Sequence, residues 1–193
     1  ADIDFLMVIP PKNFDQKTIF SIDQFVMRGG KLLVFVDPHC LADPPPPNPR
    51  NPRMPDMNHK AGSALNNLLV NWGAVVYSKK LTVDRAIATK VGSPPKAFPL
   101  YLNLDDKCVN KSHPMVAGLN GVRMLFAGSI GRHGGTATFT PLISTTNTGA
   151  TWEPANPMVL QSRDLLETLQ KEAKDGSEAV TLAGILEGPM RSI

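Results

Sequence analysis

One short stretch of the chain combines residue types that can act as nucleophile, base or metal ligand. It contains Asp37, His39 and Cys40, and His59 follows further along the chain. A thiolate activated by an imidazole is a pair that covalent catalysis uses, and Asp, His and Cys are all ligands of zinc. The stretch therefore raises three hypotheses, which are a Cys-His nucleophile, a metal site and a polar binding site.

The spacing of these residues argues against catalysis. Pro38 has no backbone N–H, so it cannot contribute to an oxyanion hole directly after Asp37. His39 precedes Cys40 immediately, and an imidazole in that position cannot easily point its ring at the neighbouring sulfur. We expect no catalytic residue, and the simpler interpretation is that Asp37 caps the loop.

The metal hypothesis also has little support from the spacing. Asp37, His39, Cys40 and His59 match no common zinc pattern, and a histidine in a proline-rich loop is usually solvated. We therefore expect neither a metal nor another cofactor. Asp37 and His39 remain candidates for binding a ligand.

A second polar stretch runs from Gly131 to Gly135 and carries Arg132 and His133 between glycines. Two potential cations in a glycine-rich stretch can bind an anion. The stretch lacks the Lys-Ser/Thr ending of a phosphate-binding loop, and no clear helix follows it. The pattern favours a tight hairpin turn, and Arg132 and His133 are further candidates for ligand binding.

The elements that must position Asp37 and His39 form a β-α-β unit. Phe5 to Ile9 and Lys31 to Val36 are continuous apolar runs, which are typical of strands buried on both faces. Apolar residues recur at helical spacing between the two runs, after a capping residue at Asp15 and before a glycine pair. Such a crossover makes the two strands parallel, so Asp37 and His39 follow the carboxyl end of a strand.

The next segment, residues 41 to 58, includes the run Pro44 to Pro47 and has few apolar residues. This composition predicts a long, stiff, exposed loop without helix or strand. Helical spacing returns from Ala61 to Leu69 and ends at Gly73, and a strand is predicted from Ala74 to Tyr77. The remaining predicted elements are strands at Leu81 to Val83, Pro99 to Asn103, Arg123 to Ala127 and Phe139 to Thr145, a helix marked by Leu165, Leu166 and Leu169, and a last strand at Val180 to Leu186.

The alternation of buried strands and helices over roughly the first eighty residues predicts an α/β fold. We expect residues 1–193 to form a single α/β domain, a three-layer sandwich with a mostly parallel central sheet. Its expected topology is flavodoxin-like or class I glutamine-amidotransferase-like. Partner binding is then expected at the carboxyl end of the strand Lys31 to Val36, with the segment 41 to 58 as a rim.

The composition excludes several other classes of protein. A hydrophobic share of 42% and a charged share of 19% are ordinary for a folded globular chain. The net charge is only +3, and the 20 Lys and Arg residues are scattered, so we expect no nucleic-acid partner. The apolar runs are far shorter than the ~20 residues that span a bilayer, so we expect the fragment itself to be soluble. Cys40 and Cys108 form no disulfide framework, and we expect both to be unpaired.

The segment Ser21 to Pro38, SIDQFVMRGGKLLVFVDP, resembles the auxiliary family of ABC-type uncharacterised transport systems, which includes gliding-motility transporter components. Further segments are similar to that family in the same order: Leu65 to Leu69 with Trp72-Gly73, His113-Pro114 with Gly118-Leu119, Thr140 to Ile143 with Thr145, Trp152, and Leu182 to Gly184 with Glu187-Gly188. The resemblance covers nearly the whole chain.

The resemblance implies a domain on the extracytoplasmic, periplasmic side of the cell membrane, held by transmembrane helices of a longer protein. A related domain in intraflagellar-transport proteins serves as an assembly module. Family members also carry upstream sequence with a first strand, so we expect this chain to lack that strand and to leave a sheet edge open.

The function that the resemblance implies is a non-enzymatic accessory domain of an ABC-type transport system. Its partners would be the transporter's membrane subunits and an unknown small ligand. The alternative is a hydrolase or amidotransferase-like enzyme on the same fold, and the sequence has Asp37 where that enzyme needs its nucleophile. A third hypothesis, a cytoplasmic scaffold like the intraflagellar relatives, differs only in the flanking segments.

Overall fold

The computed structural model describes residues 3–12, 14–40, 43–56, 59 and 65–193. Within these ranges the chain has thirteen strands and three α-helices. The helices are α1 (Gln16–Met27), α2 (Asn66–Trp72) and α3 (Leu165–Glu172). The strands are β1 (Phe5–Val8), β2 (Lys31–Val34), β3 (Pro47–Asn48), β4 (Asn51–Pro55), β5 (Ala74–Val76), β6 (Leu81–Val83), β7 (Ala88–Val91), β8 (Lys96–Asp105), β9 (Gly121–Leu125), β10 (Ile130–Arg132), β11 (Thr138–Ser144), β12 (Ala150–Trp152) and β13 (Thr181–Glu187).

The predicted β-α-β unit is confirmed. β1 pairs with β2 in parallel, with Phe5 opposite Lys31 and Val8 opposite Val34. α1 begins where expected because the Asp15 carboxylate accepts a hydrogen bond of 2.7 Å from the Thr18 N–H. The helix ends before Gly29, whose φ of 90° is the left-handed conformation that glycine adopts without strain.

The predicted three-layer sandwich with a mostly parallel central sheet is wrong, in both its flavodoxin-like and its class I glutamine-amidotransferase-like forms. Among the described strands, β1 and β2 form the one parallel pair, and the other pairings are antiparallel. β5, which was expected to continue the parallel order, pairs with β10 instead. In β9, exposed residues alternate with half-buried ones, as in antiparallel strands with one face in water.

The prediction of no strand between residues 41 and 58 is also wrong. β3 and β4 pair as an antiparallel hairpin, which we call the proline hairpin (residues 43–56). Its tight turn is stabilised by the Asn48 side chain, which accepts a hydrogen bond of 2.8 Å from the Arg50 N–H. Prolines are tolerated because an isolated two-stranded ribbon leaves the outward backbone positions without ladder partners. The ends of the predicted loop, residues 41–42 and 57–58, lie outside the described residues.

Several later predictions hold. α2 ends at Gly73, which has a φ of 109°, although the predicted start of this helix at residues 61–64 lies outside the described residues. The strands β6, β8, β9, β11 and β13 and the helix α3 fall on predicted segments. The predicted hairpin turn at Gly131 to Gly135 is wrong, because β10 pairs with β5 and β11 pairs with β13.

Apolar side chains pack into three clusters rather than one continuous layer. One lies between α1, α2 and the parallel pair and contains Val8, Ile22, Leu65, Leu68, Leu69, Trp72 and Val76. The second contains Leu81, Val83, Leu100, Phe126, Trp152, Leu160, Leu165, Leu169 and Ala173. The third contains Leu102, Leu104, Cys108, Val109, Val116, Leu142 and Ile143. No helix in the described ranges combines the length and the apolar composition that a bilayer crossing requires.

Two buried carboxylates hold distant segments of the chain together. Asp23 in α1 is fully buried and accepts hydrogen bonds from the Trp72 indole at 3.0 Å and from the Ser192 hydroxyl at 2.6 Å. Asp84 after β6 is 1% exposed and accepts hydrogen bonds from the Thr146 N–H at 2.9 Å and hydroxyl at 2.7 Å. Each carboxylate thereby joins segments far apart in the chain.

The Asp23→Ala variant tests the first of these connections. It leaves the Trp72 indole N–H buried without its acceptor, so the free energy of unfolding should fall by about 3 kcal/mol. Urea denaturation followed by tryptophan fluorescence measures the change. Glu178→Ala, at an exposed position, is the control and should change the free energy of unfolding by less than about 0.5 kcal/mol. Equal effects of the two substitutions would show that the Asp23 bonds do not stabilise the fold.

Candidate functional site

The loops that follow the two parallel strands leave from the same edge of the sheet. Lys12 follows the carboxyl end of β1, and the segment Asp37 to Asp43 follows β2. Parallel strands direct both loops to one side, where α/β units commonly bind their ligands. We call the side chains of Lys12, Asp37, His39, Asp43 and His59 at this edge the carboxyl-edge cluster.

An ion pair occupies the centre of the carboxyl-edge cluster. The Lys12 ammonium contacts the Asp43 carboxylate, and His59 Nε2 lies 3.0 Å from Asp43 Oδ2. The hydrogen bond from Lys12 lowers the pKa of Asp43 most. The charge of Lys12 and the contact with His59 lower this pKa further, and burial opposes them with a smaller effect. Asp43 is therefore a carboxylate at neutral pH, held between a cation and an imidazole.

His39 lies beside this ion pair in the loop after β2. The His39 backbone N–H donates a hydrogen bond of 2.9 Å to the Asp37 carboxylate, which confirms that Asp37 caps the loop. The His39 ring lies 6.4 Å from the Phe126 ring, between centroids. Burial lowers the pKa of His39 most, the Asp37 charge opposes this effect, and the Lys12 charge adds to it. The imidazole is therefore neutral at neutral pH, with one nitrogen that donates and one that accepts.

The segment between β9 and β10 packs against the loop that follows β2. A Cβ atom at Gly128 would lie 3.0 Å from Pro38 Cδ, so a side chain there would require the Pro38 ring to shift by a few tenths of an ångström. Phe126 has a φ of 53°, and it is the one non-glycine residue with positive φ in the part of the chain that the structure describes. The next residues bring Ser129 into the interior, where its hydroxyl is buried without a hydrogen-bond partner.

The residues that the sequence suggested for metal binding and catalysis are not arranged for either role in the described ranges. In the described ranges, no three His, Cys, Asp or Glu side chains come close enough together to hold a metal ion. The positive charge beside Asp43 and His59 comes from Lys12 instead. Cys40 is half-buried, and its backbone carbonyl accepts a hydrogen bond of 3.2 Å from the Asp43 N–H. Cys40 and Cys108 are both free cysteines.

The four residues predicted to bind a ligand fall in two places. Asp37 and His39 lie together at the carboxyl edge, whereas Arg132 and His133 lie at the end of β10. There Arg132 pairs with Ala74 of β5, the His133 N–H donates a hydrogen bond of 2.8 Å to the Gly73 carbonyl, and both side chains are exposed.

Sequence reasoning missed Lys12 and Asp43. Lys12 follows the end of a predicted parallel strand in the same way as His39, and that shared position was the signal available. The pairing itself joins residues 31 positions apart, and no local pattern indicates it. The cluster offers a cation, two carboxylates and the neutral imidazole of His39, which suits hydrogen bonding to a polar partner surface.

The Lys12→Gln variant tests the electrostatics of the cluster. Removing this cation should raise the pKa of Asp43 and of His39, because Lys12 disfavours the protonated form of both. NMR titration of the Asp43 carboxyl carbon and the His39 ring protons measures both values. Lys17→Gln, on the exposed side of α1, is the matched control and should change neither. A Lys12→Gln protein with both pKa values unchanged would contradict the ion pair.

The same variant makes a prediction about stability in acid. The folded-state pKa of Asp43 is lowered, so its ion pair stabilises the fold above the ordinary carboxyl value and is lost as the pH falls through the folded value. Lys12→Gln should therefore lose less stability than the unmodified protein when the pH falls below about 4. Thermal unfolding measured across this range tests the difference.

Comparison with known proteins identifies the family. A search of curated proteins found no match. A family model described as an ABC-type uncharacterized transport system matches residues 1–193. Because the match spans the whole chain, this protein belongs to that family, the auxiliary components of ABC-type transport systems.

Proposed function

We propose that the domain is a non-enzymatic assembly module that binds membrane subunits of its ABC-type transporter on the extracytoplasmic side. The observation that carries the proposal is the proline hairpin, an exposed and stiff ribbon held at the carboxyl edge of the parallel strands. Family membership supports the transporter context, and the extracytoplasmic side is what the sequence resemblance to that family implies.

The surface of the proline hairpin suits a partner of opposite charge. Arg50, Arg53 and Met54 are exposed, and the Met54 side chain is 52% accessible although it is apolar. Two guanidinium groups beside an exposed thioether favour an acidic surface with an apolar patch. Prolines leave the ribbon little conformational entropy to lose, so docking it costs less than ordering a flexible loop.

An ion pair joins the base of the hairpin to the loop after β1. Asp43 contacts Lys12 there, and within the hairpin the Asp56 N–H donates a hydrogen bond of 2.7 Å to the Pro46 carbonyl. The arginines are therefore presented from a defined position relative to Asp37 and His39, which would lie at the border of the interface. Arg132 and His133, at the end of β10, remain predicted ligand-binding residues.

The geometry around Cys40 supports a non-enzymatic role. The His39 ring contacts Phe126, and Pro38 supplies no N–H beside the loop cap. A catalytic thiol needs a base oriented toward its sulfur, and the His39 ring lies beside Phe126 instead.

Charge reversal on the hairpin tests the proposal. The triple variant Arg50→Glu, Arg53→Glu, Met54→Ser should weaken association with the transporter's membrane subunits about tenfold or more, because like charges then oppose docking. Point substitutions are preferable to deletion because they leave the Asp43 contacts in place. Association is measured by biolayer interferometry with detergent-solubilised membrane subunits of the same transport system.

The matched control makes the same two charge reversals and one methionine substitution at other exposed positions. Lys79→Glu, Lys174→Glu and Met158→Ser, combined in one protein, should leave association unchanged. Circular dichroism checks that both variants fold. Equal affinities of the hairpin and control variants would place the interface elsewhere and refute the proposal.

A further inference from the structure

A cleft of about 510 Å³ opens between the β7–β8 connection and the segment that precedes α3. Its lining combines an aromatic part, Phe98, Tyr101 and Phe126, with a cationic rim, Lys96 and Arg163. We propose that this cleft binds a ligand that combines an aromatic ring with a carboxylate.

Three aromatic rings form one side of the cleft. The Phe98 and Tyr101 rings lie 4.5 Å apart, and the Tyr101 and Phe126 rings lie 5.7 Å apart in an edge-to-face arrangement. Phe126 is 4% exposed, whereas Phe98 and Tyr101 are half-buried. A ligand ring can therefore contact Phe98 and Tyr101 and extend an aromatic cluster that already exists, which stabilises it beyond simple area burial.

The backbone holds the Phe126 ring in place. The Phe126 backbone N–H donates a hydrogen bond of 3.0 Å to the Leu100 carbonyl, and the adjacent Ala127 carbonyl accepts one of 2.7 Å from the Thr82 backbone N–H. Between these bonds Phe126 adopts its positive φ of 53°, a conformation that costs energy for an aromatic residue. The surrounding strands thus impose the ring position before any ligand binds, which lowers the cost of binding.

The charged groups at the cleft are cationic. Lys96 and Arg163 are exposed, and neither forms an ion pair with another described residue. The lining residues that the structure describes include no Asp or Glu. An Arg guanidinium binds a carboxylate through paired hydrogen bonds, and a nearby Lys adds charge.

The size of the cleft suits a small molecule or a chain end. Ligand sites typically enclose about 300–1,000 Å³ and combine apolar walls with a few polar groups. The Ser93 and Ser162 hydroxyls and the Gln161 amide supply such groups. A ring and a carboxylate occur together in a free aromatic acid and in a peptide that ends with an aromatic residue. Binding in the cleft does not require docking of the proline hairpin.

The test uses probes that separate the two chemical features. N-acetyl-L-phenylalanine carries both, N-acetyl-L-phenylalaninamide lacks the charge, and N-acetyl-L-alanine lacks the ring. In ¹H–¹⁵N NMR titrations of the 193-residue chain, the first probe should give saturable shifts at cleft residues with a dissociation constant on the order of 1 mM. Each of the other two should bind at least about tenfold more weakly.

Two variants identify the cationic contacts. Lys96→Gln combined with Arg163→Gln should weaken N-acetyl-L-phenylalanine binding about tenfold and leave N-acetyl-L-phenylalaninamide binding unchanged. Lys79→Gln combined with Lys174→Gln removes the same charge outside the cleft and should have no effect. Both pairs are at exposed positions, so folding is retained.

Three results would overturn the assignment: no saturable shifts of cleft residues up to about 50 mM probe, equal binding of the acid and its amide, or unchanged binding by the Lys96/Arg163 variant. The tripeptide Ala-Ala-Phe with a free carboxyl end then distinguishes the sources of the ligand. Tighter binding than N-acetyl-L-phenylalanine assigns the cleft to a peptide end, and weaker binding assigns it to a free aromatic acid.

Discussion

The hydrogen bond between the buried Asp23 carboxylate and the Trp72 indole is the connection on which the parallel unit depends. It joins α1 to α2, and the same carboxylate binds Ser192 near the end of the described chain. A buried carboxylate without such donors would be strongly destabilising, so these partners must stay in place while the fold persists. Because α1 packs on β1 and β2, the bond also fixes where the loops after both strands begin. The carboxyl-edge cluster depends on that position.

The sequence was sufficient where local physics decides the structure. Apolar runs, the Asp15 cap and the Gly29 turn predicted the β-α-β unit, because each signal lies within a few residues of its effect. It was insufficient for sheet order after β5. Short apolar strands pair in either direction, and the partners of β5 and β11 lie far away in the chain, so no local sequence pattern indicates them. The proline hairpin was missed for a different reason. The proline-rich composition was read as excluding strands, but an isolated two-stranded ribbon tolerates prolines.

The candidate site was predictable to a similar degree. Position after a parallel strand correctly brought Asp37 and His39 together at one edge. The same rule applied to β1 would have found Lys12, but its pairing with Asp43 depends on how two loops meet in space. The cleft was less predictable still, because its rings come from β8 and the end of β9, and its cations come from β8 and the segment before α3. Neither group forms a motif in the chain.

One short segment, residues 126 to 128, contacts both regions. The Phe126 ring lines the cleft and its centroid lies 6.4 Å from that of the His39 ring, and Gly128 lies close to Pro38. The backbone between them is restrained by the bonds of Phe126 to Leu100 and of Ala127 to Thr82. Phe126, which the surrounding backbone bonds hold at a φ of 53°, is therefore a residue that the carboxyl edge and the cleft share.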